Sequence, residues 1–235
     1  MDEFDELLPT ADEEGRLDLS HRAWCEIDEV VWTMGGEVSD LKLCHNRLTS
    51  VPSDVGFLKL LRELDVSCNK IGALPSSIGK LRCLRTLKCN GNDLEDLPVE
   101  LGSCSRLQDL ICSENNLKTL PRSLGTLRDL RRILAQNNAL ETLPPTLGDL
   151  EFLVDINARG NGALEAMIPK QIQNDTPLIL WVLRTHRKHE RHCENIIRHS
   201  DQLKMLINNA DDRAKQLAAS LHNLNDDRLG SHLAA

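Results

Sequence analysis

Histidine and cysteine side chains near the C-terminal end of the sequence are the residues best suited to metal chemistry. His186, His189 and Cys193 are spaced i, i+3 and i+7, which places them on one face of a helix, with Glu190 close by. All are zinc ligand types, but structural zinc sites draw on two elements and no second ligand pair is near. Zinc binding is therefore a minor alternative, and no metal or cofactor is predicted.

Two pairs of sequence neighbours could instead supply a thiol nucleophile beside a base. These are Cys44 with His45, and His192 with Cys193. The sequence implies neither a third catalytic group nor an oxyanion site for either pair. It also lacks the nucleophile-elbow, phosphate-loop and dinucleotide-binding motifs. We therefore predict that the chain is not an enzyme.

A basic segment surrounds these histidines. Its cationic residues are Arg184, Arg187, Lys188, Arg191 and Arg198. The segment could be a solvated helix face, or a site for an acidic partner, an acidic membrane surface or RNA. No aromatic residues lie between the bases to stack on nucleotides. The net charge of −8 also argues against general nucleic-acid binding, so nucleic acid is disfavoured as a partner.

The elements that position these residues follow from a repeat. Asn recurs every 23 residues, at Asn46, Asn69, Asn92, Asn115, Asn138 and Asn161. Each of the first five is followed by a Leu-Pro or Val-Pro pair and, ten residues after the Asn, by Gly. Such a period predicts a solenoid whose units bury their apolar side by stacking. We expect seven coils, of which the first is degenerate.

Each column of the repeat has a physical reason. Residues five and three before the Asn, such as Leu87 and Cys89, alternate as a short strand with one buried face. The Asn amide can bond backbone groups of the neighbouring coil and so form a ladder. Cys89 and Cys112 occupy a slot that Leu or Val fills elsewhere, so they are interpreted as small core residues. This use of cysteine predicts a reducing, cytoplasmic location.

The consensus Leu-x-x-Leu-x-Leu-x-x-Asn-x-Leu-x-x-Leu-Pro-x-x-Leu-Gly-x-Leu resembles the intracellular leucine-rich repeats of the Ras-suppressor and plant Ras-group type. The resemblance covers about residues 16–170. It implies an α/β solenoid shaped as a horseshoe, with parallel strands on the concave side and short helical or extended turns outside. It also implies a protein partner, for which a small GTPase or a kinase is the family analogy. Fold alone does not determine function.

Three regions are predicted. Residues 1–15 form an acidic, disordered tail, in which Phe4, Leu7 and Leu8 could alternatively be a docking motif. Residues 16–176 form the repeat domain. Residues 177–235 form a helical cap followed by a basic, amphipathic helical tail.

The cap is predicted to cover the last coil with one stripe of its first helix. The stripe consists of Leu178, Trp181, Val182 and Thr185. The start of the chain lacks the apolar core of a secretory signal, and the run Leu178–Leu183 is too short to span a membrane.

A binding surface is expected where side chains point away from the core, at positions six, four and two before each Asn. Ile111 and Leu134 should lie there as an apolar pair within a polar rim, the form that a protein-binding hot spot takes. Ordinary scattered surface residues are the alternative. The predicted partner-binding residues are Asp65, Lys88, Asp109, Ile111, Arg132, Leu134, Gln136 and Asn157.

These observations predict a non-catalytic interaction scaffold or regulatory adaptor that binds a protein on its concave surface, in intracellular signalling. The alternative is a structural subunit of a large assembly, whether cytoskeletal, ciliary or ribonucleoprotein. Such a subunit would be attached through the basic C-terminal helix.

Overall fold

One parallel sheet organises the chain. The computed structural model describes residues 10–192, and in them seven strands pair in chain order. The strands are β1 (Arg16–Asp18), β2 (Asp40–Lys42), β3 (Glu63–Asp65), β4 (Thr86–Lys88), β5 (Asp109–Ile111), β6 (Arg132–Leu134) and β7 (Asp155–Asn157). Equivalent residues of successive coils stand opposite each other, as Asp109 does to Arg132. The predicted parallel solenoid of seven coils is confirmed.

The return path of each coil is a short turn of helix. In the first coil it is α1 (Glu29–Thr33), whose N-cap Asp28 accepts a hydrogen bond from Val30 N. The later coils have 3-10 turns at Ser53–Phe57, Ser76–Lys80, Val99–Ser103, Arg122–Thr126, Pro145–Asp149, Gly162–Ala166 and Lys170–Ile172. Five of these turns begin directly after the repeat proline, which fixes φ there, at −69° for Pro52.

The core is a stack of nearly identical aliphatic layers. Leu64, Leu87 and Leu110 are fully buried at equivalent strand positions. Cys89 and Cys112 are fully buried as well, which confirms their interpretation as small core residues. Because each layer is filled by Leu, Val, Ile and Cys, the core needs few aromatic rings.

The repeat asparagines form the predicted ladder. Asn92 donates from Nδ2 to Cys89 O of its own coil and to Val66 O of the preceding coil, each at 3.0 Å. Its Oδ1 accepts from Ile71 N of the preceding coil at 3.0 Å. Because the side chain is buried, it satisfies backbone groups that water cannot reach.

The last coil is closed by residues outside the repeat. Ile156 N of β7 donates to Thr176 Oγ1 at 2.8 Å, and Ala158 N donates to Gln173 O at 2.8 Å. These bonds satisfy donors that an uncovered edge strand would leave unpaired. Thr176 also begins a second helix, α2, which is helical to residue 192. Asp175 caps α2 by accepting from Leu178 N at 3.1 Å.

The face of α2 that packs on the last coil differs from the predicted one. Ile179, Leu180 and Leu183 are buried, whereas Leu178 is 43% and Trp181 66% exposed. The predicted stripe is therefore wrong at Leu178 and Trp181, whereas Val182 packs against the core while partly buried. The bond to Thr176 fixes the rotation of the helix, and residues three, four and seven positions after it then face the core. Gly148 permits this approach, since a Cβ there would lie 2.9 Å from Arg184 N.

The chain enters the first coil through a hydrogen-bonded turn. Asp12 Oδ1 accepts from Glu14 N and Arg16 N, and Gly15 O accepts from Ser39 N at 2.7 Å. Residues 1–9, with the suggested motif of Phe4, Leu7 and Leu8, lie outside the described residues.

The chain divides into two compact units, Met1–Arg187 and Lys188–Ala235. Of the second unit the structure describes residues 188–192, which are helical. Within residues 10–192, none of the helices has the length and hydropathy required to cross a bilayer.

The ladder predicts that replacing Asn92 destabilises the protein far more than replacing Asn116, an exposed asparagine of the following coil. Asn92→Ala leaves Ile71 N, Val66 O and Cys89 O without their side-chain partner and should lower the free energy of unfolding by about 3 kcal/mol. Asn116→Ala, at an exposed site, should change it by less than about 0.5 kcal/mol. Urea denaturation followed by circular dichroism measures both. Equal losses would contradict the ladder's role.

The corrected face of α2 gives a second pair of variants. Leu183→Ala should lower the free energy of unfolding by about 2–5 kcal/mol, because Leu183 is fully buried. Trp181→Ala, at an exposed site, should cost less than about 1 kcal/mol despite removing a larger side chain. The same denaturation experiment applies, and the reverse order of the two losses would restore the face predicted from sequence.

Candidate functional site

The apolar pair lies at the centre of the strand face. Ile111 and Leu134 are the last residues of β5 and β6 and stand directly opposite each other in the parallel register. Both are half-buried. Lys88 on β4 and Asn157 on β7 flank the pair in the same row. The predicted adjacency of the two apolar side chains is therefore present in the fold.

Arg132 and Asp109 form one side of this rim. Arg132 Nε lies 2.6 Å from Asp109 Oδ1, and the two residues pair across β5 and β6. The hydrogen bond and charge of Asp109 raise the pKa of Arg132. Since this pair sits in the row next to Ile111 and Leu134, it holds two charged groups beside the apolar pair.

Lys88 forms the other side of the rim with Glu63, which lies on the predicted surface six positions before Asn69 but outside the predicted partner-binding set. Its Nζ lies 2.6 Å from Glu63 Oε1 and 3.8 Å from Asp65 Oδ2. The hydrogen bond with Glu63 is the largest cause of the raised pKa of Lys88. Glu63 is thus part of the surface, and its diagonal position relative to Lys88 could be found once the strand register was known.

The carboxylate of Asp65 is bonded to its own strand end. It is buried, and its Oδ1 accepts hydrogen bonds from Ser67 N at 3.0 Å and Ser67 Oγ at 2.5 Å. These bonds close a short local turn after β3. The carboxylate therefore orders the strand end, and Lys88 is the more accessible charge at this place.

Gln136 and Asn157 complete the predicted set. Gln136 is half-buried, and its Oε1 is shielded from solvent without a hydrogen-bond partner among residues 10–192. Asn157 Oδ1 accepts from Arg159 N at 3.2 Å. The side-chain oxygen of Asn157 is therefore already bonded to the backbone that follows β7.

The neighbours Cys44 and His45 make separate contacts. Cys44 Sγ lies 3.1 Å from Ser20 Oγ, whereas the His45 ring stacks on His21 with ring centroids 4.4 Å apart. Each side chain thus pairs with its equivalent in the preceding coil. The geometry gives no support to a thiol–imidazole pair at this place.

A column of left-handed residues was not found from the sequence. The residue before each repeat asparagine has positive φ: His45, Cys68, Gly91, Glu114, Asn137 and Gly160. Gly and Asn are the residue types that favour this conformation, and they were the available signal. Because His45, Cys68 and Glu114 are of other types, the column has no single recurring residue type in the sequence. The positive φ therefore sets the direction in which each side chain of this column leaves the backbone.

Two arginines of the basic segment attach α2 to the turn Pro145–Asp149. Arg184 Nε donates to Gly148 O at 3.0 Å, and Arg187 Nε lies 3.3 Å from Asp149 Oδ2. Cys193 and Arg198 lie outside the described residues, so the arrangement of His186, His189 and Cys193 stays a prediction. Among residues 10–192, no group of three or more metal-ligating side chains is assembled.

Comparisons agree with this geometry. A leucine-rich-repeat family model matches residues 37–94. A leucine-rich-repeat protein of Leptospira interrogans is 28% identical over 63% of this chain, with a TM-score of 0.57. The leucine-rich-repeat domain of the type III effector XopL is 23% identical over 65% of this chain, also with a TM-score of 0.57, which shows the fold alone.

The parallel sheet, the family match and these structures together define the class: the chain is a leucine-rich-repeat protein. It covers 39% of the Leptospira chain and 54% of the XopL chain. A comparison with curated proteins found no match. The Ras-suppressor subclass stays a prediction.

Cysteine burial gives a test of the core against the surface. Burial raises the pKa of Cys112 to about 12 and that of Cys104 to about 11, so both remain protonated at pH 8. Because the thiolate is the nucleophile, iodoacetamide should modify them at least about a hundredfold more slowly than the exposed Cys25. Peptide mass spectrometry over time measures the rates. Similar rates in the native protein would contradict the packing, and denaturant should remove the difference.

Proposed function

We propose that this chain is a non-catalytic protein-interaction module that binds a protein partner on its concave strand face. Leucine-rich-repeat domains generally serve as protein-interaction modules. The family is typically non-catalytic as well. The partner-binding residues of the proposal are those predicted from the sequence, with Ile111 and Leu134 at the centre.

The observation that carries the proposal is the placement of this apolar pair. Ile111 and Leu134 are cross-strand neighbours, half-exposed, with Arg132 and Asp109 in the next row and Lys88 beside them. Hot spots have this composition, in which an apolar centre loses water on binding and polar groups surround it. The strands hold the surface in place before binding, so docking orders few groups.

The proposal extends to the class of the partner and to the cellular location of the interaction. The resemblance to Ras-suppressor repeats favours a small GTPase or a kinase, and an adaptor role in signalling. The described cysteines are free thiols, and Cys89, Cys104 and Cys112 are core residues. Free thiols suit a reducing compartment, which supports placing the interaction in the cytoplasm.

The alternative of an assembly subunit attached by the basic helix stays a prediction. Arg184 and Arg187 contact the turn Pro145–Asp149 in this structure, which leaves fewer cations of the segment for an external partner.

A pair of double variants tests the proposal. Ile111→Asp/Leu134→Asp should abolish recovery of the partner from lysate, because two buried charges would replace the apolar centre of the interface. Phe57→Asp/Val99→Asp removes two exposed apolar side chains of the 3-10 turns and should leave recovery unchanged. Quantitative mass spectrometry of proteins captured by the full chain measures both.

Circular dichroism establishes first that each variant is folded. If the aspartates unfold the sheet, Ile111→Gln/Leu134→Gln replaces them and should weaken recovery at least about tenfold. A folded variant of Ile111 and Leu134 that recovers the same partners in the same amounts would overturn the proposal.

A further inference from the structure

Positive charge is concentrated along one edge of the sheet, the edge at which the strands begin, although the chain as a whole is acidic. The loops that lead into β3 to β6 are residues 58–62, 81–85, 104–108 and 127–131. They hold seven bases and one acid. The loops that follow the strands at the opposite edge, 47–50, 70–73, 93–96 and 116–119, hold three bases and three acids. The contrast occurs in a chain of net charge −8.

Three of these arginines are held in line by the backbone. Arg85 N donates to Arg62 O, Gln108 N to Arg85 O, and Arg131 N to Gln108 O, at 2.7–2.8 Å. Arg62, Arg85 and Arg131 thus stand one position before β3, β4 and β6, while Gln108 takes the equivalent place before β5, with about 4.8 Å per step. Lys59, Arg106 and Arg128 flank them. These six residues are here called the arginine edge.

The arginine edge is available for binding. All six side chains are exposed. None forms an ion pair with another residue of the described range 10–192. Arg82 is not included, because its guanidinium donates to Ser103 O and so joins two coils.

Apolar side chains stand at both ends of the arginine edge. Leu60 is 49% exposed at the β3 end, and Phe152 and Val154 are 58% and 70% exposed at the β7 end. Val154 N donates to Arg131 O, so Val154 is the next step of the same backbone ladder. From Arg62 to Val154 there are four steps, about 19 Å, which six extended residues would span.

We propose that the arginine edge binds an extended acidic peptide segment of a protein partner, with carboxylates on the arginines and an apolar residue at each end. Arg forms paired hydrogen bonds with carboxylates more readily than Lys does. Loops of the edge lack aromatic residues between the bases for stacking nucleotides. A duplex or a bilayer would extend beyond the edge to the acidic remainder of the chain, whereas a short peptide would not. This second site is independent of Ile111 and Leu134.

Fluorescence anisotropy of a synthetic peptide tests the proposal. The probe has six glutamates between a leucine and a phenylalanine, and its control has glutamines instead. The full chain should bind the glutamate probe and not the control, more weakly as salt is raised from 50 to 300 mM. Arg62→Ala/Arg85→Ala/Arg131→Ala should weaken binding about tenfold, since each exposed charge contact contributes up to about fivefold.

A matched variant removes the same charge from the opposite edge. Arg47→Ala/Lys70→Ala/Lys118→Ala should leave probe binding within about twofold of the unchanged chain, although its net charge is equal to that of the first variant. The six side chains replaced in the two variants are exposed, and circular dichroism confirms folding. Ile111→Gln/Leu134→Gln should also retain binding, which separates this site from the concave one.

Several outcomes would overturn the proposal. One is equal loss in the two triple variants, and another is no binding at 50 mM salt. A third is tighter, edge-dependent binding of a twelve-nucleotide oligothymidylate or of phosphatidylserine vesicles, which would assign the edge to nucleic acid or membrane. A fourth is probe binding only after Asp2→Asn, Glu3→Gln, Asp5→Asn and Glu6→Gln, which would make the chain's own N-terminal residues the occupant.

Discussion

The buried asparagine amide is the interaction on which the rest of the structure depends. A coil of 23 residues cannot bond all of its own backbone groups, because its strand is only three residues long. Each repeat asparagine supplies both a donor and an acceptor at the place where two coils meet, as Asn115 does for Cys89 O and Leu94 N. Without it, several buried groups per coil would lose their partners.

The asparagine hydrogen bonds run in one direction along the solenoid. Each asparagine serves its own coil and the preceding one, so the first coil, with Arg22 at the asparagine position, is served by Asn46. The last coil has no following strand, and Thr176 Oγ1 and Gln173 O accept the hydrogen bonds of its strand amides Ile156 N and Ala158 N instead. The cap is therefore part of the hydrogen-bonding scheme as well as an apolar cover. This explains why the rotation of α2 follows Thr176.

The sequence was sufficient for those features whose residue types recur in register. Period, strand positions, core columns and the adjacency of Ile111 and Leu134 follow from residues that recur in register. The buried face of α2 did not follow, because Leu178–Leu183 are all apolar and contain no periodic signal. Nor did the hydrogen bonding of Asp65 with Ser67 or the pairing of Lys88 with Glu63, which depend on side-chain conformation at positions that vary between repeats.

The regular register of the strands has a consequence for how such a chain can change length. Because equivalent residues of neighbouring coils stand opposite each other throughout the sheet, gain or loss of one whole 23-residue unit joins like positions to like. A gain or loss within a strand would shift the later columns and expose the core, whereas the return path outside the strands can absorb a residue, as between β1 and β2, where the paired residues Arg16 and Asp40 are 24 positions apart. The strand face can therefore lengthen or shorten only in steps of about 4.8 Å. Its recognition surfaces are in that sense modular, and the distance between two contacts can be altered without redesigning either one.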